Sequence, residues 1–292
     1  MIFRGSAVAL ITPFFEDGTV DFESLGKLIQ YHLQNKTDAI VAIGTTGEAI
    51  TMTEEERLAV IKFCVEKINN KIPLIAGVGN NDTGESADFA KKASALNPDA
   101  ILVITPYYNK CNQEGLYRHF KTIAEASTVP VILYTVPSRT TVEIQPQTLK
   151  RLAEIKNIVG IKDATGNLGY TAKIKNILPD DFAIYCGNDD VTVPMLSMGA
   201  DGVISVSANI LPNETHEMCQ AFFDGDIEKS RQMQLKYLDM INSLFAQTNP
   251  IPVKAAINLM GMNGGYYRLP LCEPSDEIME LLKKNMKNLG LI

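Results

Sequence analysis

The chain has 292 residues, 46% hydrophobic and 21% charged, and a formal net charge of −7. A chain of this length buries a sizeable core without disulfide or metal staples. The acidic balance argues against a nucleic-acid backbone or an anionic membrane as the main partner, so an anionic substrate has to be caught by local basic residues.

Short apolar, β-branched segments alternate with helical periodicity along the chain. Ala7–Thr12 reads as a first strand, and Leu25, Leu28, Ile29 and Leu33 make a helical stripe after Asp21. Ala39–Ile43 is a second strand. Thr53-x-x-Glu56 is a capping box, opening a helix that carries Leu58, Ile61, Val65 and Ile68 on one face. Leu74–Val78 and Ala100–Thr105 are strands three and four, the latter followed by Leu116, Phe120 and Ile123 at helical spacing. Val131–Val136, Ile158–Lys162, Phe182–Cys186 and Gly202–Val206 complete eight strands, with Leu149, Leu152 and Ile155 spaced for a helix after the fifth. Most of these strands are apolar on both faces, the mark of parallel strands covered on each side.

Eight β-α units within residues 1–224 predict an α/β fold, a (β/α)8 TIM barrel. Residues 225–292 carry no strand signal and predict a C-terminal helical extension. Its helices are marked by Leu235, Leu238, Ile241 and Phe245, by Pro252–Met260, and by Asp276–Leu289 with Ser275 as N-cap. A doubly wound sheet shares the alternation. The nearest glycine-rich loop, Gly77-Val-Gly79-Asn-Asn-Asp82, lacks the third glycine that sheet would normally offer.

In a barrel the C-terminal strand ends carry the chemistry. Here they read Gly44-Thr45-Thr46-Gly47-Glu48, Thr105-Pro106-Tyr107-Tyr108-Asn109, Tyr134-Thr135-Val136-Pro137-Ser138-Arg139, Lys162-Asp163-Ala164-Thr165-Gly166 and Gly187-Asn188-Asp189-Asp190. Lys162 closes a buried strand. Burial disfavours its ammonium form, and a neutral amine in a dry pocket is what Schiff-base chemistry needs. Position alone favours a lysine that snorkels into solvent or pairs with Asp163; the gathered hydroxyls and Arg139 shift the balance to the amine. Tyr134 and Tyr108 are either proton shuttles bridged by Thr45 or rings buried with wet hydroxyls. Arg139 is either a carboxylate clamp or a surface arginine. Thr45 and Thr46 sit in a turn able to face an anion.

Metal and cofactor chemistry is not expected. His32, His119 and His216 all fall in helical stretches, and His216-Glu217-Met218-Cys219-Gln220 lacks the second histidine of a zinc-protease helix. Asp189 and Asp190 suit a cation less well than Asp190 suits a helix N-cap. No apolar run approaches the roughly 20 residues of a bilayer span, and the first residues lack the form of a secretory signal. Five cysteines, never in C-x-x-C spacing, fit reduced thiols and a cytoplasmic location.

Together GTTGE (44–48), TPYYN (105–109), YTVPSRT (134–140) and GIKDATGN (160–167) resemble the 4-hydroxy-tetrahydrodipicolinate synthase (dihydrodipicolinate synthase) family. This is one branch of the pyruvate-dependent Schiff-base aldolases. The likeness extends to NPIPVK (249–254) and RLPL (268–271), and the S-R-T segment is what points to this branch. The resemblance implies a lyase that condenses pyruvate with L-aspartate 4-semialdehyde in the diaminopimelate route of lysine biosynthesis. Lys162 would form the iminium and Tyr134 would move protons beside it. Thr45 would link Tyr134 to a Tyr108 from the neighbouring subunit. Thr45 and Thr46 would hold the pyruvate carboxylate, the backbone groups of Gly187 and Ile204 would border the substrate, and Arg139 would bind the semialdehyde carboxylate. A homotetramer, a dimer of dimers, is implied.

Two features depart from the family pattern. Thr135 stands where asparagine is usual, which puts the local hydrogen bonding in question. Lysine-inhibited members tend to carry Ser and His where this chain has Ala49, Glu54 and Arg57, although Asn81, Glu85 and Tyr107 are present; weak or absent lysine inhibition is expected. The rival readings are another aldolase of the superfamily, such as a sialic acid or 2-keto-3-deoxy-sugar-acid lyase, and a non-catalytic keto-acid-binding barrel.

Overall fold

The computed structural model describes all 292 residues. Eight parallel strands close into a barrel in sequence order. They are β1 (Gly5–Ala9), β2 (Ala39–Ala42), β3 (Leu74–Val78), β4 (Ala100–Ile104), β5 (Val131–Thr135), β6 (Ile158–Asp163), β7 (Ala183–Cys186) and β8 (Gly202–Ser205). The expected strands are all present, most within a residue or two at each end. The first begins two residues early and ends three early, because Gly5 pairs with Gly202 where β1 meets β8. A Cβ on Gly202 would stand 2.0 Å from the Gly5 carbonyl oxygen, so only glycine lets these two strands close the ring.

Helices fill the connections: α1 (Phe22–Gln34), α2 (Glu54–Ile68), α3 (Thr83–Ser94), α4 (Gln113–Ala126), a single turn α5 (Pro137–Thr140), α6 (Pro146–Ala153), α7 (Leu168–Ile177), α8 (Thr192–Ser197) and α9 (Pro212–Phe223). Asp21 caps α1, and Thr53 with Glu56 forms the expected capping box on α2. Each such cap stabilises its helix by about 1 kcal/mol.

The alternation of strand side chains divides the core in two. Val8, Ile40, Ile101, Leu133 and Ile161 face the helices in the large outer core. Ala7, Val41, Leu102, Ile132, Tyr134 and Ile204 face the barrel axis. Phe3 closes the bottom, stacked on Tyr185 with ring centroids 4.2 Å apart, and the Tyr185 hydroxyl donates to the Phe3 carbonyl at 3.0 Å.

Three further helices follow, α10 (Ile227–Leu244), α11 (Ile251–Leu259) and α12 (Asp276–Asn288). Met240, Leu244, Val253, Ala256, Leu282 and Met286 join the outer core. Ser275 caps α12 as expected. The stripe read on α10 holds in part: Ile241 is buried and Leu238 half-buried, but Leu235 and Phe245 are exposed, and Ser230, Gln234, Met240, Ser243 and Leu244 face inward with Ile241. Three polar residues, Ser230, Gln234 and Ser243, lie on the buried face there, which hides it from apolar spacing. Gln234 accepts from Val193 N–H at 3.1 Å and donates to the Asp189 carbonyl at 3.0 Å, tying α10 to the barrel rim.

Candidate active site

A cavity of about 820 Å3 opens at the C-terminal ends of the strands. Lys162 reaches it from β6, Tyr134 from β5, Thr45 and Thr46 from the turn after β2, Arg139 from α5 and Gly187 from the end of β7. The far wall is Phe245–Asn249, the link between α10 and α11.

Lys162 points inward because it follows the outward Ile161 on a pleated strand. Asp163 therefore points outward. It accepts from Thr165 N–H at 2.9 Å, Thr165 Oγ1 at 2.7 Å and Thr171 Oγ1 at 2.8 Å. The pairing of Lys162 with Asp163 that position alone allows does not occur. Lys162 is 6% exposed and forms no ion pair; its Nζ lies 4.5 Å from the centroid of the Tyr134 ring. Burial pulls its amine down to about 8 from the ordinary lysine range. The Asp189 carboxylate opposes that fall and the Arg139 guanidinium adds to it.

Tyr134 is buried beside it. Burial pushes the phenol up, while Arg139 and the Thr45 hydroxyl draw it back. Next on the strand, Thr135 faces away from the cavity, and its hydroxyl accepts from Ile144 N–H at 3.3 Å. Its departure from the family pattern thus falls on the helix side of β5.

The turn after β2 is strained. Ile43 and Glu48 hold φ of 48° and 56°. A β-branched residue with positive φ is a genuine outlier, at a cost of about 1–3 kcal/mol. Neighbouring glycines leave it room: a Cβ on Gly77 would lie 2.2 Å from the Ile43 carbonyl oxygen. The turn is held from below by a buried pair, Glu48 Oε1 to Lys254 Nζ at 2.6 Å, with both side chains almost fully buried. It is held from the side by Asn249, whose Nδ2 donates to Thr46 Oγ1 at 2.9 Å. The carbonyl of Asn249 accepts from Arg139 Nη2 at 3.0 Å.

Two expected residues stand apart from this cluster. Tyr108 is 92% exposed, off the cavity of its own chain, with φ of 68°. The Ile204 side chain packs in the inner core below the mouth, which leaves only its backbone to face the substrate, and Val206 lines the wall two residues on. Gly187 does line the cavity, and a Cβ there would meet the Ala164 Cβ at 2.6 Å.

Sequence reasoning missed Asp189 as a buried group. Its Oδ2 accepts from Val206 N–H at 3.0 Å and Ser207 N–H at 2.7 Å. Asp190 is exposed and caps nothing; α8 begins after Val191 without a side-chain cap. His216 sits 2.8 Å from Asp38 Oδ2, a partner for a helix surface rather than a metal ligand. No cluster of three or more His, Cys, Asp or Glu side chains is placed to hold a metal ion.

Residues 2–289 match the model of the dihydrodipicolinate synthetase family. The 4-hydroxy-tetrahydrodipicolinate synthase of Clostridium perfringens is 53% identical over 291 residues, covering 100% of both chains. The dihydrodipicolinate synthase of Acinetobacter baumannii, solved as a chloride-inhibited complex with pyruvate, is 45% identical; its TM-score is 0.97 with 100% of each chain covered. A structure of a monomeric dihydrodipicolinate synthase variant is 41% identical with a TM-score of 0.97, covering 100% of this chain and 98% of the other.

Proposed function

The chain belongs to the dihydrodipicolinate synthetase family, and on that footing we propose that it joins pyruvate to L-aspartate 4-semialdehyde through an imine on Lys162. The observation that carries this reading is the position of Lys162: a buried amine without an ion-pair partner, brought down to about 8, at the floor of a cavity rimmed by hydroxyls and one guanidinium.

An ordinary lysine is neutral in about one molecule per thousand near pH 7–8. With its pKa near 8, Lys162 is neutral in a substantial fraction. That neutral amine adds to the C2 carbonyl of pyruvate, and loss of water gives the iminium. Tyr134, beside the amine, moves the protons that this addition and loss require. The iminium draws electrons from the pyruvate methyl group. Removal of one C–H proton leaves an enamine, whose carbon attacks the semialdehyde carbonyl; that oxygen takes up a proton. The amine of the former semialdehyde then adds to the iminium carbon, closes the ring and expels the Lys162 amine. The electron sink is the protein's own nitrogen.

Thr45 and Thr46 bind the pyruvate carboxylate and Arg139 binds that of the semialdehyde, so the two anions are taken at separate points of one mouth. Gly187 leaves the wall flat against the substrate. Tyr108 enters from a neighbouring copy, since its side chain stands outside its own cavity. The assembly is a homotetramer, a dimer of dimers; a fully active isolated monomer contradicts it. No helix is long and apolar enough to cross a membrane, and we assign the enzyme to the cytoplasm.

Intact mass after borohydride reduction with pyruvate tests the reading. The adduct is expected on Lys162 and absent in Lys162→Ala. Turnover on the semialdehyde, set against sugar-derived aldehydes, separates this activity from that of the sugar-acid lyases. Binding of pyruvate without any reducible imine would support the non-catalytic alternative.

A further inference from the structure

Asn249 lies more than 200 residues from the GTTGE turn in sequence, yet it touches both groups assigned above to the two carboxylates. It is 6% exposed and lines the cavity. Its side-chain N–H donates to Thr46 Oγ1 at 2.9 Å, and its carbonyl accepts from Arg139 Nη2 at 3.0 Å. Its own Oδ1 is buried with no partner. A buried acceptor left unpaired costs about 1–3 kcal/mol.

The direction of the first bond matters. A threonine hydroxyl carries one proton and can accept as well. When Thr46 Oγ1 accepts from Asn249, its own proton is left free for an acceptor in the cavity. Donation into Oγ1 also polarises the hydroxyl and strengthens what it gives onward. The second bond holds one branch of a long, mobile guanidinium against a fixed carbonyl. One residue thus connects the two sides of the mouth.

We propose that Asn249 is a positioning residue: it turns the Thr46 hydroxyl toward the carboxylate of pyruvate and, by its carbonyl, fixes Arg139 at a set distance from it. This rests on the function proposed above. The C-terminal extension thereby contributes to catalysis through the alignment of two anions whose carbons must meet.

The test is a set of variants in the full chain, read by borohydride trapping with pyruvate and by steady-state kinetics. In Asn249→Asp the carboxylate accepts the Thr46 proton and adds a negative charge beside both substrates. The KM for pyruvate is expected to rise by about tenfold or more, the scale of a lost hydrogen bond to a charged group. Asn249→Ala removes only the donor and is expected to raise it by about three- to fivefold. In a Thr46→Val background, Asn249→Ala is expected to add less than about twofold, since contacting residues act non-additively. A purely structural role predicts full additivity and equal losses in all constants. Three results would overturn the proposal: that additivity, a near-normal KM for pyruvate in the Asp variant, or no change in either variant. Should Asn249→Ala not fold, Asn249→Ser replaces it in the same cycle. Wild-type trapping separates the two readings. No adduct in the wild type removes the proposed function, whereas a normal adduct with indifferent Asn249 variants removes only this inference.

Discussion

Two lysines are buried in this chain, and the fold treats them in opposite ways. Lys254 has a carboxylate 2.6 Å away on Glu48, donates to the Thr12 carbonyl at 3.3 Å and to the Tyr266 carbonyl, and lies over the rings of Phe14 and Tyr267. Lys162 has no ion pair and no carbonyl, only the ring of Tyr134 and the more distant field of Asp189. Burial lowers both pKa values, and at Lys254 the Glu48 carboxylate pushes back. Burial alone therefore does not make a nucleophile. A buried lysine becomes one when its surroundings decline to satisfy the proton, and it becomes a brace when they supply every partner.

Exchange of each lysine for methionine of similar length breaks the comparison most sharply. Lys162→Met is expected to abolish the trapped adduct and lower turnover by on the order of 10^4-fold or more, as removal of a nucleophile does elsewhere. The fold should gain from the same change. At pH 7 the wild type carries a cost on the order of 3 kcal/mol for holding that amine near 8 rather than near 10.4. Lys162→Met is thus expected to unfold at higher urea than the wild type. A lower midpoint would show that Lys162 is a structural residue.

Lys254→Met should move stability the other way. It strands the Glu48 carboxylate in a buried site, and breaking a buried pair by removing one partner costs about 3–5 kcal/mol. The urea midpoint should fall accordingly, while the protein that remains folded still traps pyruvate on Lys162. Glu48→Gln with Lys254→Met removes both charges and should recover most of the loss. A double variant no better than the single one would place the strength of this region elsewhere, in Arg268 and its bonds to Glu56 and the Gly18 carbonyl.

The pH dependence sharpens the contrast. Imine formation should rise through a midpoint near pH 8 as Lys162 loses its proton. Below pH 8 both folded and unfolded chains hold that proton, and the folded state carries the cost of the buried charge. Between pH 8 and about 10.4 the unfolded chain binds more protons than the folded one, so this cost is relieved as pH rises through the window. Subtracting the profile of Lys162→Met from that of the wild type isolates the Lys162 contribution. A difference that stays flat across that window would mean the amine is not depressed.

The same contrast explains what sequence could show. Lys162 is legible because it ends a run of apolar residues, a local signal of where its stem begins. The eight strands are legible for the same reason. Lys254 carries no such mark: its partner Glu48 is 206 positions away, and nothing in NPIPVK announces a charge that the fold will bury. Asn249 and Thr46 are separated by a similar span. Asp189 shows the opposite difficulty: beside Asp190 it reads as a weak cation site next to a helix N-cap, whereas a single turn over Asp189–Val191 buries Asp189 and leaves Asp190 exposed. Period-based reading fails in part on α10 because Ser230 and Gln234 are buried through hydrogen bonds rather than apolar area.

Free lysine puts the rule to its mildest test, because the expected effect is nearly none. Beside the active-site cavity lies a smaller one of about 310 Å3, lined by Glu54, Arg57, Asn80, Glu85, Asp88 and Lys92 among others. Arg57 belongs to both walls and lies over the Phe89 ring, 4.2 Å from its centroid. An ammonium leaving water needs a carboxylate with free lone pairs and no competing cation, as Lys254 has in Glu48. Here Glu54 already accepts from Lys92 at 2.6 Å, and Glu85 accepts from Asn80 Nδ2 at 3.0 Å. Arg57 presents a fixed positive charge on this wall. The lining holds three carboxylates against two cations, so net charge does not exclude lysine; what opposes it is that Lys92 already occupies Glu54 and Arg57 stands beside the remaining acids. Turnover measured across a lysine titration is expected to stay flat through the submillimolar range, and half-inhibition there would show that this cavity satisfies an ammonium by means its resident charges do not reveal.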